Sequence, residues 1–112
     1  MAKIERRING NIYRIIDKIE NGILNGSTSA SLEESSFFSS GEAKCAVRVF
    51  ERYSYMGGNR VSLNVTFFQE NNNSPIFISG ITSGGSQAIF FKMNTFGEEA
   101  FLQKLEDIID NI

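Results

Sequence analysis

The stretch AKCAVRVFERYSYMGGNRVSLNVTFF, residues 43–68, decides the fold. It reads as two long strands around a glycine-rich break. In the first, Cys45, Val47, Val49, Tyr53 and Tyr55 share one parity, and Lys44, Arg48, Phe50 and Arg52 share the other. In the second, Val61, Leu63, Val65 and Phe67 alternate with Ser62, Asn64, Thr66 and Phe68. Alternation of this kind marks strands with one buried face. Paired residues on neighbouring strands share a face, so the loop length sets the register. A loop of Gly57-Gly58-Asn59 places Val49 opposite Phe67 and Tyr53 opposite Leu63. Arg48, Phe50 and Arg52 then face Phe68, Thr66 and Asn64 on the outer side. Glu51 interrupts the apolar parity, which marks either a bulge or a partly buried acid.

Upstream, Ile4 and Ile8 lie on one side of a short strand over 3–8, and Lys3, Glu5 and Arg7 on the other. Asn9-Gly10-Asn11 breaks it and offers a helix N-cap. Ile12, Ile15, Ile16, Ile19 and Ile23 follow at helical spacing, and the helix stops near Gly22 or Gly26. Residues 27–40 hold seven serines. A weak strand around Thr28, Ala30 and Leu32 and a flexible Ser-rich loop both fit, with Phe37-Phe38 in a connection.

Downstream, 70–75 is a turn. Residues 76–82 and 86–93 are nearly continuous apolar runs, expected of central strands or of strands covered on both faces. Ser83-Gly84-Gly85-Ser86 turns the chain between them. Thr95 and Glu98 form a capping box that opens a C-terminal helix with Phe101, Leu105, Ile108, Ile109 and Ile112 on one side. The expected fold is one α+β domain over 1–112: a curved antiparallel sheet of five or six strands, with an N-terminal and a C-terminal helix on one face. Its expected core is Ile12, Ile16, Ile19, Val47, Val49, Leu63, Val65, Ile78, Ile89, Phe101, Leu105 and Ile108.

Composition excludes several chemistries. The chain has no His and one Cys, Cys45, so neither a His-based triad nor an internal disulfide is available. The expectation is a protein that is not an enzyme, with no cofactor and no metal. A net charge of −2 gives no basic field for nucleic acid. No apolar run approaches the ~20 residues of a bilayer span, and Met1 to Arg7 lack the apolar core of a signal peptide. A cytoplasmic setting is expected, where a lone Cys packs as a small hydrophobe. The loop 83–86 carries no P-loop lysine and precedes a strand, so it reads as a turn and not a phosphate cradle.

Residues 45–53 (CAVRVFERY) and 80–91 (GITSGGSQAIFF), with the helix that follows, resemble a family of small bacterial proteins of about this length and of unknown function. That likeness implies no activity and no site residues. The order strand, helix, several antiparallel strands and C-terminal helix is also similar to a shortened helix-grip fold, as in START-like lipid-binding proteins. It departs from that fold in having one helix, not two, after the first strand.

Two functions are expected from these readings. The first is a non-catalytic module that holds a small, largely apolar ligand between sheet and helices, suggested by the ten Phe. The second is a homo-oligomeric or adaptor protein that uses an exposed sheet face. The candidate contact residues are Arg48, Phe50, Arg52, Asn64 and Phe68, because two guanidiniums beside two aromatic rings suit carboxylates, phosphates or a partner chain.

Overall fold

The computed structural model describes residues 1–53, 60–84 and 91–112, with side chains of the last segment from 97 onward. Five strands and two helices follow in the order β1 (Ala2–Ile8), α1 (Ile12–Asn25), β2 (Ser31–Ser40), β3 (Ala43–Tyr53), β4 (Arg60–Gln69), β5 (Ile76–Gly84) and α2 (Phe91–Asp110). The strands form one antiparallel sheet ordered β1-β5-β4-β3-β2. The two helices pack on one face of it. α2 rests on β5, β4 and β1, and α1 rests on α2, β2 and β4.

The first helix forms where the isoleucine spacing places it. The Asn11 side chain accepts from the amides of Tyr13 and Arg14, and the helix ends at Gly26. All five isoleucines at helical spacing are buried. Gly22 lies inside this helix because α2 crosses it there. A Cβ at Gly22 would stand 2.6 Å from Cδ1 of Ile108. Gly80 does the same for the sheet: a Cβ would stand 2.4 Å from Cδ2 of Leu105, so the glycine lets α2 settle onto β5.

The helix-covered face of β4 is as expected, with Val61, Leu63, Val65 and Phe67 fully buried. The face of β3 is exchanged. The expected loop Gly57-Gly58-Asn59 lies outside the described residues, but Tyr53 pairs with Arg60, so an even number of residues, 54–59, separates the paired ends in place of an odd one. Ala46 stands opposite Phe67, Arg48 opposite Val65, Phe50 opposite Leu63 and Arg52 opposite Val61. Phe50 and Ala46 are therefore core, fully buried, while Val47 and Val49 line the opposite face. The physical reason is that an arginine need not leave an apolar face to keep its charge solvated, because its stem packs while its head reaches the margin. Arg48 Nε donates to Glu20 Oε1 at 3.0 Å, and its Nη1 donates to the Ser36 carbonyl at 3.1 Å. The Arg52 guanidinium lies 4.5 Å from the centre of the Phe101 ring. Glu51 consequently does not interrupt the core. It belongs to the other face, where it meets Arg60 at 2.7 Å.

The serine-rich segment is a strand from Ser31, not a loop. A two-residue connection, Gly41-Glu42, joins it to β3. Gly41 has φ +58°, which a II′ turn requires at its first loop position. Phe37 stacks on Tyr13 of α1 at 5.6 Å, so Phe37 and Phe38 point to opposite faces of β2. The bulge falls on β2 at Glu33, where the register shifts between Leu32 and Glu34. A bulge and adjacent acids on an edge strand discourage edge-to-edge pairing.

The expected strand over 86–93 is not a strand at its end, since Phe91, Lys92 and Met93 begin α2. Residues 85–90, including Ile89, lie outside the described residues. Thr95 is inside α2 and so cannot cap it. Glu98 is buried at 5 % exposure, and its Oε2 lies 2.8 Å from the Met1 ammonium, which ties α2 to the start of β1. Arg6 and Glu106 tie the same two elements at 2.6 Å. Among the described residues the core is Ile12, Ile15, Ile16, Ile19, Ile23, Ala46, Phe50, Val61, Leu63, Val65, Phe67, Ile76, Ile78, Phe101, Leu102, Leu105 and Ile109, with Ile108 partly buried against it.

Candidate functional site: the open sheet face

Residues of the described segments fill the space between sheet and helices. Phe50, Phe67, Phe101 and Leu105 are all at most 1 % exposed. A groove of about 430 Å³ lies on the outside, between Lys18 and Gly22 of α1 and Lys104, Asp107 and Ile108 of α2. It is open to solvent and lined by both charged and apolar residues, unlike the enclosed apolar pockets that hold small ligands.

The opposite face of the sheet has a different character. No helix covers it among the described residues, and it carries three cross-strand rows that run over all five strands. The first row is Arg7, Phe77, Phe68, Cys45 and Phe38, each directly opposite the next. The second is Glu5, Ser79, Thr66, Val47 and Ser36. The third is Lys3, Ile81, Asn64, Val49 and Glu34.

The first row is the unusual one. Phe38 is 64 % exposed, Phe77 43 % and Phe68 41 %. The Arg7 guanidinium covers the Phe77 ring at 4.7 Å. A shallow apolar cleft of about 160 Å³ lies at the other end, between Phe38, Ala43, Cys45 and Phe68. Phe77 and Phe68 are direct cross-strand neighbours, so their rings leave adjoining apolar surface in water, and Ile81 at 37 % exposure adds a further apolar side chain in the third row. β5 explains its origin. Its apolar run fits a central strand or one covered on both faces; it is an interior strand, with Ile76 and Ile78 buried while Phe77 and Ile81 look outward.

The sequence-derived contact residues do not share one surface. Asn64 and Phe68 lie on the open face, as placed by β4. Arg48, Phe50 and Arg52 lie on the helix-covered face, where Phe50 is core and the two arginines border the helices. Burial lowers the pKa of the Arg52 guanidinium below its ordinary value, since desolvation disfavours the charge. Sequence reasoning missed Phe38, Phe77 and Arg7. The continuous apolar run 76–78 carried the available signal: a strand apolar on both faces needs two covers.

Among the described residues no group of three or more potential metal ligands occurs. No helix of the described residues is long and apolar enough to cross a membrane.

These features define a small α+β domain whose antiparallel sheet is capped by helices on one face and open, with an aromatic row, on the other. The chain belongs to the Family of unknown function (DUF6054), whose model matches residues 1–112. No curated protein and no solved structure matches it, so nothing supports the likeness to the helix-grip fold.

Proposed function

We propose that this chain is a non-catalytic interaction module whose working surface is the open sheet face. The observation that carries this reading is the row Arg7, Phe77, Phe68, Cys45 and Phe38, with three rings more than one-third exposed in one cross-strand row and two of them, Phe77 and Phe68, directly paired. Scattered exposed apolar residues are ordinary, but contiguous aromatic ones mark contact surfaces. The arginine beside them adds the residue type that most often joins aromatics at interfaces. The described clefts supply no enclosed apolar chamber, so an apolar ligand between sheet and helices has less to support it.

Cys45 stands between Phe68 and Phe38 in the row, partly exposed, and reports on whether the face is covered. The test is the rate at which N-ethylmaleimide labels Cys45 in intact cells and in dilute purified protein. The reading predicts slow labelling in cells and fast labelling after dilution. A Phe77→Lys variant should label at the fast rate in both. Equal rates for the wild-type chain in cells and in dilute solution would contradict the reading.

A further inference from the structure

The pattern on the open face is complementary to itself, and this points to the occupant. Resting on the reading above, we propose that the partner is a second copy of this chain, packed face to face about a two-fold axis that runs along β4. β4 is the middle strand of five. Rotation about it therefore lays β1 over β2 of the second copy, and β5 over β3.

Each row then meets its own reverse. In the first row, Arg7 lies over Phe38 of the second copy, Phe77 over Cys45, and Phe68 over its own mate. In the third row, Lys3 lies over Glu34, Ile81 over Val49, and Asn64 over its mate. In the second, Glu5 lies over Ser36 and Ser79 over Val47. Within these three rows the cations belong to β1, and Glu34 and Phe38 belong to β2, so each of them finds an acid or a ring, while Arg60 of β4, further along the same face, is already held by Glu51.

The alternative two-fold, in the sheet plane but across the strands, puts β1 over itself. Arg7 would then meet Lys3, and Glu34 would meet Phe38. Charge therefore selects the axis along β4. Aligned sheets in sandwiches pack with their strands within ~30° of each other, the same geometry.

The size is adequate. Five strands ~4.8 Å apart and about seven residues at ~3.3 Å each give a footprint of roughly 550 Å² per copy. The pair buries roughly 1,100 Å², past the ~1,000 Å² minimum for a biological interface and in the range of weak, reversible pairs. Pairing also supplies the second cover that β5 lacks, and it does so without using the bulged edge of β2.

The test is sedimentation velocity on the full chain from micromolar to millimolar concentration, with circular dichroism to confirm folding. The wild-type chain should sediment at twice its 12.5 kDa mass at the upper end. Lys3→Glu or Glu34→Lys alone should weaken the dimer by about tenfold or more, since each places two like-charged contacts across the interface. The double variant Lys3→Glu/Glu34→Lys should restore it. Phe68→Lys, which brings two ammonium groups together on the axis, should give monomers. A wild-type monomer at every concentration overturns the second copy as partner. If Cys45 is nevertheless protected in cells, the contact surface stands and its occupant is another molecule. A dimer that the double variant fails to restore overturns the axis.

Discussion

Phe68 of β4 pairs directly with Phe77 of β5 on the sheet face that carries no helix, and both rings are about two-fifths exposed. One residue further along β4, back toward its start, Phe67 is fully buried against Ile78 and the helices. Two adjacent phenylalanines thus have opposite fates. Their substitutions separate what holds the fold from what the fold presents.

Phe67→Ala and Phe50→Ala should each destabilise the chain by about 3–5 kcal/mol, as for truncation of a core aromatic. Phe77→Ser should change stability little at concentrations where the chain is monomeric, within about 1 kcal/mol. Urea unfolding of the three variants, monitored by circular dichroism, checks the face assignment of β3 and β4 together.

Arg48→Ala should be costlier than a surface truncation. Its guanidinium donates to Glu20 and to the Ser36 carbonyl, and its side chain is 16 % exposed. Charge-assisted hydrogen bonds of this kind contribute about 1.5–3 kcal/mol. Arg48→Lys should recover only part of the loss, because an ammonium lacks the planar fork that serves both acceptors. Denaturant midpoints of the two variants give the comparison.

Gly80→Val should destabilise by about 1–3 kcal/mol through overpacking against Leu105. Leu105→Ala alone should also destabilise, by leaving a cavity. The double variant should be more stable than the sum of the two losses predicts. A double-mutant cycle that is strictly additive would contradict the close approach of α2 to β5.

The stacked pair Tyr13 and Phe37 holds the polar strand β2 against α1. A double-mutant cycle with Tyr13→Ala and Phe37→Ala should return a coupling of about 0.5–1.5 kcal/mol. The same truncations should speed amide exchange in β2 more than in β4, since β2 touches the helix layer at little else.

Much of this architecture could be read from the residues. The isoleucines at positions 12 to 23 allow only one helical face, and Val61 to Phe67 allow only one strand face. β3 was harder, because both of its parities mix apolar and charged residues. Valines and tyrosines on one side outnumber Phe50 and Ala46 on the other, and the arginines beside Phe50 look like solvent-facing residues. Their stems are instead buried, with heads on Glu20 and the Phe101 ring, which spacing alone cannot reveal. The number of residues between the paired ends, 54–59, decides the matter, and Ser54, Tyr55 and Met56 read in sequence as a continuation of the strand. β2 was obscured for another reason. It is an edge strand with polar residues on both faces, so it has no alternation to read. The helical start at Phe91 was hidden by a Thr-Phe-Gly-Glu sequence that has the form of a cap without standing at a helix end. The aromatic row depended on register across all five strands, so a one-residue error in β3 was enough to conceal it.

The chain contains no tryptophan, so Phe68→Trp introduces a single indole on the middle strand of the open face. The measurement that tests the proposed pairing most directly is the emission spectrum of that variant across a dilution series. A face that closes on a second copy predicts blue-shifted emission at high concentration, moving to the red as the protein is diluted, with a midpoint that Lys3→Glu shifts to higher concentration. Emission fixed at the wavelength of a water-exposed indole at every concentration would contradict it.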